Sequence, residues 1–431
     1  MKRIISYTGV LSVILLAACS ESTSDAETNV DIQNDNTNDE KIEIEYWYAF
    51  GDKIGENNEN LVDQFNESQN EIQVNAHYQG DYADLHAGTQ AAAAAGNPPH
   101  VTLNEIASVG TFARSGMTQD MTSYVERDGV DMDDFVDGLM GNSYVDEGLY
   151  GLPYLRSTPI LYVNATMLEE AGLDPSGPSN WEEFADFSRV LTDDDTVGMT
   201  FPIGIWIYEG LVAQSGGSVL SEDELEPLFN EAPGVEAVEF LMGLEEEGVI
   251  KIPTGDESGQ VAGQDFANQN SAMIFGSTAG LTNYLEIAEG NGFEINTTFM
   301  PANVDYGVPT GGANLVMIAD HPDEEKEAAW EFIKWMTDTE QTIYASTFTG
   351  YLPSRHSAVE SDEMNELYEE IPQYKVAVDQ LEYARHRPMN TGYPEVMSMI
   401  EDAIATAILD DNVSAQEALD DAAERAKELL D

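Results

Sequence analysis

A chain of 431 residues with 17 basic against 81 acidic side chains, a formal charge of −64 and one cysteine is excluded from several classes at once. Nucleic acid is no partner, because binding a polyanion needs clustered Lys and Arg to displace counterions; a lone thiol rules out an intrachain disulfide; and acids dispersed among 42% hydrophobic residues do not make a disordered polyanion. Such a charge keeps a folded protein soluble by self-repulsion and suits a salty or alkaline exterior, which describes habitat and not ligand.

The chain opens with Met1-Lys2-Arg3, an apolar run from Ile4 to Leu16, and Leu16-Ala17-Ala18-Cys19. A positive start, a short apolar core and small residues at the cut are the parts of a signal peptide, expected over 1–18. The run is too short to span a bilayer. Its ending resembles the bacterial lipobox, which implies cleavage before Cys19 and lipidation of that thiol, leaving the protein anchored at the outer face of the membrane. Residues 19–40 are almost devoid of apolar side chains and are expected to be an acidic, solvated tether.

From Ile42, apolar and polar residues alternate through Tyr48 with the period of a half-buried strand. An amphipathic stretch through Leu61, Val62 and Phe65 follows, then a strand at Ile72–Tyr78, a helix at Ala87–Ala95 closed by Gly96-Asn97-Pro98-Pro99, and a third strand at His100–Leu103. Two prolines in the block Tyr150–Asn164 suggest a fixed extended connection between lobes and not the interior of an element. Ser179-Asn180-Trp181-Glu182-Glu183 carries a polar cap and early acids, a helix start. Helical patterns recur at Trp206–Gln214, Val235–Glu247, Gln260–Gln269 and Glu324–Met336, with strands at Ala272–Gly276, Phe293–Met300 and Asn314–Ala319 and two helices between Pro394 and Leu430. Alternating strands and helices predict an α/β fold with mixed, mostly parallel sheets. About 390 residues after the tether exceed what one core organises, so two lobes are expected.

Chemistry is sparse. Among 81 carboxylates, acidic pairs occur by chance and identify no catalytic dyad. The six histidines show neither H-E-x-x-H spacing nor a tight cluster, so no metal site is expected, and no phosphate loop or dinucleotide fingerprint calls for a cofactor. Asp193-Asp194-Asp195 lacks the remaining ligands of a calcium loop. Gly276-Ser277-Thr278-Ala279-Gly280 lacks a central serine and reads as a strand-to-helix turn able to hold a ligand oxygen. The aromatic residues beside turns and strand ends, Trp47, Tyr48, Tyr82, Tyr154, Trp206, Tyr208 and Tyr351, suit the C–H faces and hydroxyls of a sugar or polyol.

Tyr46-Trp47, Gly80-Asp81-Tyr82, the run Leu152–Asn164, Ala171-Gly172-Leu173-Asp174-Pro175, Asn180–Phe184, Gly311-Gly312-Ala313-Asn314 and Thr349–Pro353 stand in an order that resembles the extracellular solute-binding proteins of bacterial ABC importers. Within the carbohydrate and glycerol-phosphate cluster the chain is most similar to the glycerol-3-phosphate-binding branch. The resemblance implies a two-lobed periplasmic-binding-protein-like fold of type II, with lobe one at 40–155 plus 312–350, lobe two at 156–311 plus 351–431, and an inter-lobe cleft. It implies a monomer that binds a sugar, polyol or glycerol phosphate without transforming it and docks on a membrane permease. Tyr82, Ser157, Trp206, Ser277, Gly312 and Tyr351 fall where that branch lines its cleft, and Trp47 and Tyr48 join them as candidate contacts. Two positions depart from the branch: Ser108 replaces an acid, and Met397 replaces a phosphate-binding arginine, for which Arg156, Arg385 or Arg387 is the candidate substitute. An uncharged sugar needs no substitute. A carbohydrate-active enzyme or a ligand-sensing receptor subunit would carry similar aromatic and acidic residues.

Overall fold

A computed structural model describes residues 41–254, 258–410 and 412–430. The expected signal peptide, Cys19 and the expected tether lie outside the described residues. Among the described residues no helix is long and apolar enough to cross a membrane.

The strands are β1 (Ile42–Tyr48), β2 (Ile72–Tyr78), β3 (Val101–Glu105), the hairpin β4 (Tyr144–Val145) and β5 (Gly148–Leu149), β6 (Leu152–Ser157) and β7 (Pro159–Asn164). They continue as β8 (Val197–Thr200), β9 (Ile250–Lys251), β10 (Ser271–Ser277), β11 (Ile295–Thr298), β12 (Val308–Pro309), β13 (Gly311–Met317) and β14 (Ala384–Arg385). Two five-stranded sheets result, ordered β2-β1-β3-β13-β6 and β11-β7-β10-β8-β9. In the first, β1 pairs in parallel with β2 and β3, while β13 runs antiparallel to β3 and β6. In the second, β8 is parallel to β9 and β10, while β7 runs antiparallel to β10 and β11. Each sheet thus has one reversed strand, and it is the strand on which the chain arrives from the other sheet.

The crossings occur at Thr158 and Thr310, between β6 and β7 and between β12 and β13. The block Leu152–Asn164 is extended as expected, yet it forms two fully buried strands and is no mere connection. Its prolines are tolerated because Pro153 sits on the edge strand β6 and Pro159 opens β7, the two strand positions where a missing N–H breaks no ladder. A third passage follows Gly350, where the Leu352 N–H donates to the Arg156 carbonyl at 2.7 Å. Gly350 has φ +98, and a side chain there would meet the Thr278 carbonyl at 2.6 Å.

One apolar core surrounds the first sheet, built on Tyr46, Leu103, Leu315, Trp330 and Phe332. The second sheet has a core on each face: Leu161, Val163, Met273 and Phe275 point to one, Ile160, Tyr162 and Ile274 to the other, as strand alternation requires. Each such fully buried apolar side chain is worth about 1.5–3 kcal/mol. The C-terminal helices Tyr393–Leu409 and Ala415–Leu430 pack into the first of these cores through Val396, Ile400, Leu419 and Ala423. The expected cap at residue 180 is present: Asn180 Oδ1 accepts the Glu183 N–H and Glu183 Oε2 accepts from Ser179, closing the first turn of Trp181–Leu191.

Candidate binding cleft

The strands of open α/β sheets present loops at their carboxyl ends, where ligand crevices form. Here β1 runs out into Phe50 and Ile54, β3 ends at Glu105, β6 at Ser157 and β10 at Ser277, and all of these side chains line one cavity of about 360 Å³. The reversed strand β13 contributes its start, Gly311 and Gly312, to the same wall. Tyr82, Trp206, Tyr351 and Arg387 complete it from the surrounding helices and loops.

Local structure fixes each group. Asp81 Oδ1 accepts the Asp84 N–H at 2.9 Å and caps the helix Tyr82–Ala94, so Tyr82 stands at its first position beside Phe50, ring centroids 4.8 Å apart. Phe50 itself adopts φ 66, a conformation uncommon without glycine and a mark of local strain. Trp206 donates its indole N–H to the Thr310 carbonyl at 3.0 Å, which leaves the ring to form wall. A side chain at Gly311 would strike that ring at 2.5 Å, and one at Gly312, φ +84, would meet the Leu155 carbonyl at 1.9 Å, so the glycine pair is what lets β13 and Trp206 close on each other. Ser277 Oγ accepts the Ala279 N–H at 3.2 Å and opens the turn before the helix Leu281–Asn291. Burial raises the Tyr82 phenol well above its ordinary pKa and the Tyr351 phenol to about 12, so both remain neutral donors.

The cleft has one charged cluster. Arg387 binds Glu209 through Nε (2.9 Å) and Nη2 (3.0 Å), and Glu105 through Nη1 (2.9 Å). Tyr393 donates to Glu209 Oε1 at 2.5 Å. Burial alone would lower the Arg387 guanidinium; Glu209 and Glu105 outweigh it and hold its pKa well above the ordinary value. Two carboxylates therefore face one cation.

Six of the nine expected contacts meet in this cavity: Tyr82, Ser157, Trp206, Ser277, Gly312 and Tyr351. The structure places the other three elsewhere. Tyr48 is buried in the first core, its hydroxyl 3.0 Å from Glu59. Trp47, its neighbour on a period-two strand, faces the opposite side of the sheet and lines a separate cavity with Glu45 and His100. Both lie within β1, and Phe50, two residues beyond its end, lines the cleft instead. Arg156 is fully buried and spends its guanidinium on the carbonyls of Gly311 (3.0 Å) and Leu139 and on Asn314 Oδ1 (3.1 Å). Tyr154 and Tyr208 are core residues whose hydroxyls pair with Asn57 and the Phe229 carbonyl. Phe50 and Glu105 escaped the sequence reading, the latter because one carboxylate among 81 carries no signal.

Each of the two departures has a charged group nearby. Glu105 stands three residues before Ser108 and supplies a cleft carboxylate. Met397 does not leave the site without a guanidinium, because Arg387 Nη2 reaches to within 3.1 Å of its sulfur. The acidic loop at Asp193 is self-satisfied, its Oδ1 accepting the N–H groups of Asp195 and Thr196 at 2.9 Å each.

Residues 60–372 match a family model described as bacterial extracellular solute-binding protein. The sn-glycerol-3-phosphate-binding periplasmic protein UgpB of Pectobacterium atrosepticum is 25% identical over 416 residues, 90% of this chain and 91% of that protein. UgpB of Salmonella typhimurium is 24% identical over 415 residues, 90% and 92% of the two chains. Among solved structures, UgpB from Mycobacterium tuberculosis in complex with glycerophosphocholine aligns with a TM-score of 0.79 at 24% identity, covering 90% of this chain and 98% of that one. The GacH receptor of Streptomyces glaucescens, solved unliganded and with acarbose, aligns with a TM-score of 0.81 at 18% identity and the same coverage. The shared architecture is the two-lobed one.

Proposed function

Because the chain belongs to the bacterial extracellular solute-binding proteins, non-enzymatic capture subunits of ABC importers, we propose that it takes up an uncharged sugar or polyol in the cleft and delivers it to a membrane permease. The observation that carries the choice of ligand is the Glu105–Arg387–Glu209 cluster. A phosphate is held best by a guanidinium with free N–H groups, whereas Arg387 is committed to two carboxylates and the cluster keeps a net negative charge. Glu105 retains lone pairs to accept ligand hydroxyls, and the rings of Phe50, Tyr82, Trp206 and Tyr351 offer faces for C–H surfaces. A cavity of about 360 Å³ lies at the small-molecule end of the usual range. Tyr82, Ser157, Trp206, Ser277, Gly312 and Tyr351 are the proposed contacts. The proposed lobes are those expected, 40–155 plus 312–350 and 156–311 plus 351–431, with their borders moved to Thr158 and Thr310 because β6 and β13 belong whole to the first sheet. A ligand touching both selects the closed state by its differential affinity for it. The proposal includes anchoring through a lipid on Cys19 and action as a monomer; Cys19→Ser should release the protein from the membrane fraction.

Titration of tryptophan fluorescence against sugars, polyols and glycerol 3-phosphate, with small-angle scattering, tests the reading. Binding and compaction with an uncharged solute are expected, and Trp206→Ala should weaken that binding by about 1–3 kcal/mol. Glu105→Gln should shift preference toward glycerol 3-phosphate by freeing part of the guanidinium. Wild-type preference for glycerol 3-phosphate over every neutral solute would refute the ligand class, and turnover of a bound glycoside would refute the role.

A further inference from the structure

A second cavity, of about 420 Å³, lies away from the cleft, with Glu43, Glu45, His100, Asp320, His321 and Glu325 in its wall. The sequence leaves its histidines isolated, 221 positions apart; the fold stacks the two rings with centroids 3.9 Å apart. Their hydrogen bonds fix their tautomers. His100 Nδ1 accepts the Glu45 N–H at 2.9 Å, so the neutral ring carries its proton on Nε2 and donates it to Glu325 Oε2 at 3.0 Å. His321 Nε2 lies 2.9 Å from the Pro99 carbonyl, which can only accept, so the proton is on Nε2 and Nδ1 holds a lone pair.

His321 Nδ1 lies 3.4 Å from the same Glu325 oxygen, with the His321 side chain only 10% exposed. No donor among the described residues faces this nitrogen. A buried imidazole lone pair beside a half-exposed carboxylate is satisfied by a cation held between the two. We propose that this is a site for a divalent transition metal of the zinc class, with His321 Nδ1 and Glu325 Oε2 as its protein ligands. Bonds of about 2.0–2.2 Å at a tetrahedral angle separate two ligand atoms by about 3.3–3.5 Å, which matches the observed gap. His100 is a positioning residue and no third ligand: its Nδ1 lone pair is taken by the Glu45 N–H, and its Nε2–H orients the ligating carboxylate. Water completes the shell, with the carboxylates of Glu43, Glu45 and Asp320 around it. The imidazole nitrogen selects zinc or cobalt over calcium and magnesium, which take oxygen shells. A bound ion would pin His321 to the first turn of the helix Asp323–Met336 and would bear on the turn before β3 only through the His100–Glu325 hydrogen bond.

Chelator-treated full-length protein, titrated with Co(II), tests this. One equivalent should produce the visible ligand-field absorption of a four-coordinate nitrogen and oxygen site, displaced by zinc, and zinc should raise the melting temperature where equal magnesium does not. His321→Ala and Glu325→Gln should abolish the absorption, and His100→Gln should weaken metal binding about 10–100-fold. Should the variants fail to fold, the imidazole nitrogen resonances of the wild-type protein decide: zinc must shift His321 Nδ1. Cobalt uptake without the visible band, equal stabilisation by magnesium, or a His321 resonance that responds to pH but not to zinc would overturn the assignment and leave a proton in place of the metal.

Discussion

Two arginines are buried beside the same cleft, and their surroundings are opposite. Arg156, next to Ser157 on β6, is held by two backbone carbonyls and the Asn314 amide oxygen, with Nη2 unpartnered among the described residues. Burial lowers its pKa to about 9, so it is still charged at neutral pH but stabilised only by dipoles and by the more distant Glu105. Arg387 is held by two carboxylates and its pKa is raised. The first arginine clamps backbone, joining β6 to the start of β13 and to the short helix at Leu139, close to the crossings at Thr158 and Thr310. The second sets the sign of the cleft. The same residue type is structural in a carbonyl cage and electrostatic in a carboxylate cage, and only the partners tell which.

Removing each arginine separates the two roles. Arg387→Met strands Glu105 and Glu209 together in a buried wall and should destabilise the protein by about 3–5 kcal/mol in denaturant unfolding. Adding Glu209→Gln to that variant should recover part of the loss, because the coupled pair is removed together; independent, additive losses would show that the two groups are not coupled. Arg156→Met leaves carbonyls unsatisfied but no opposing charge, and should cost about 2–3 kcal/mol. Equal losses with equal salt dependence would erase the distinction.

The comparison also has a pH arm, because the shared carboxylate Glu105 is tied through its backbone to His86. His86 Nε2 accepts the Glu105 N–H at 3.3 Å, and burial lowers its pKa from 6.5 to about 4, against a smaller opposing effect of Asp81. The unfolded chain takes up this proton first as the pH falls, so the stabilisation is full above 6.5 and is lost between 6.5 and about 4. For a partly buried ring we expect a loss of about 2 kcal/mol, read as the difference between wild type and His86→Gln unfolded at pH 7 and pH 4.5. A difference that does not change with pH would show His86 to be protonated in the native state. The smallest effect belongs to the exposed pair of Lys53 and Glu286, which joins the helix Asp52–Ser68 to the helix Leu281–Asn291. Lys53→Met should change stability by less than about 1 kcal/mol, and salt should erase the change.

Much of the architecture was legible before any coordinates. Period-two alternation from Ile42 to Tyr48 and the apolar run at Ala272–Gly276 mark strands, and the cap at Asn180 marks its helix, because these elements are decided within a few residues of themselves. Family order placed Tyr82, Ser157, Trp206, Ser277, Gly312 and Tyr351, and they converge in one cavity. Reading aromatic residues near strand ends was less discriminating. A single position along β1 separates the core face of Tyr48 from the opposite face of Trp47, and two further residues separate both from the cleft at Phe50.

The sequence by itself determined the α/β alternation, the two-lobed plan and the residue types available to the cleft, since periodicity, capping and turn chemistry act over short spans. Only the tertiary structure decided which charges meet. Glu105, Glu209 and Arg387 come from separate elements, as do His100 and His321, and each is chemically ordinary along the chain. Coulomb and hydrogen-bond energies depend on distance and burial, and neither is written in the order of residues.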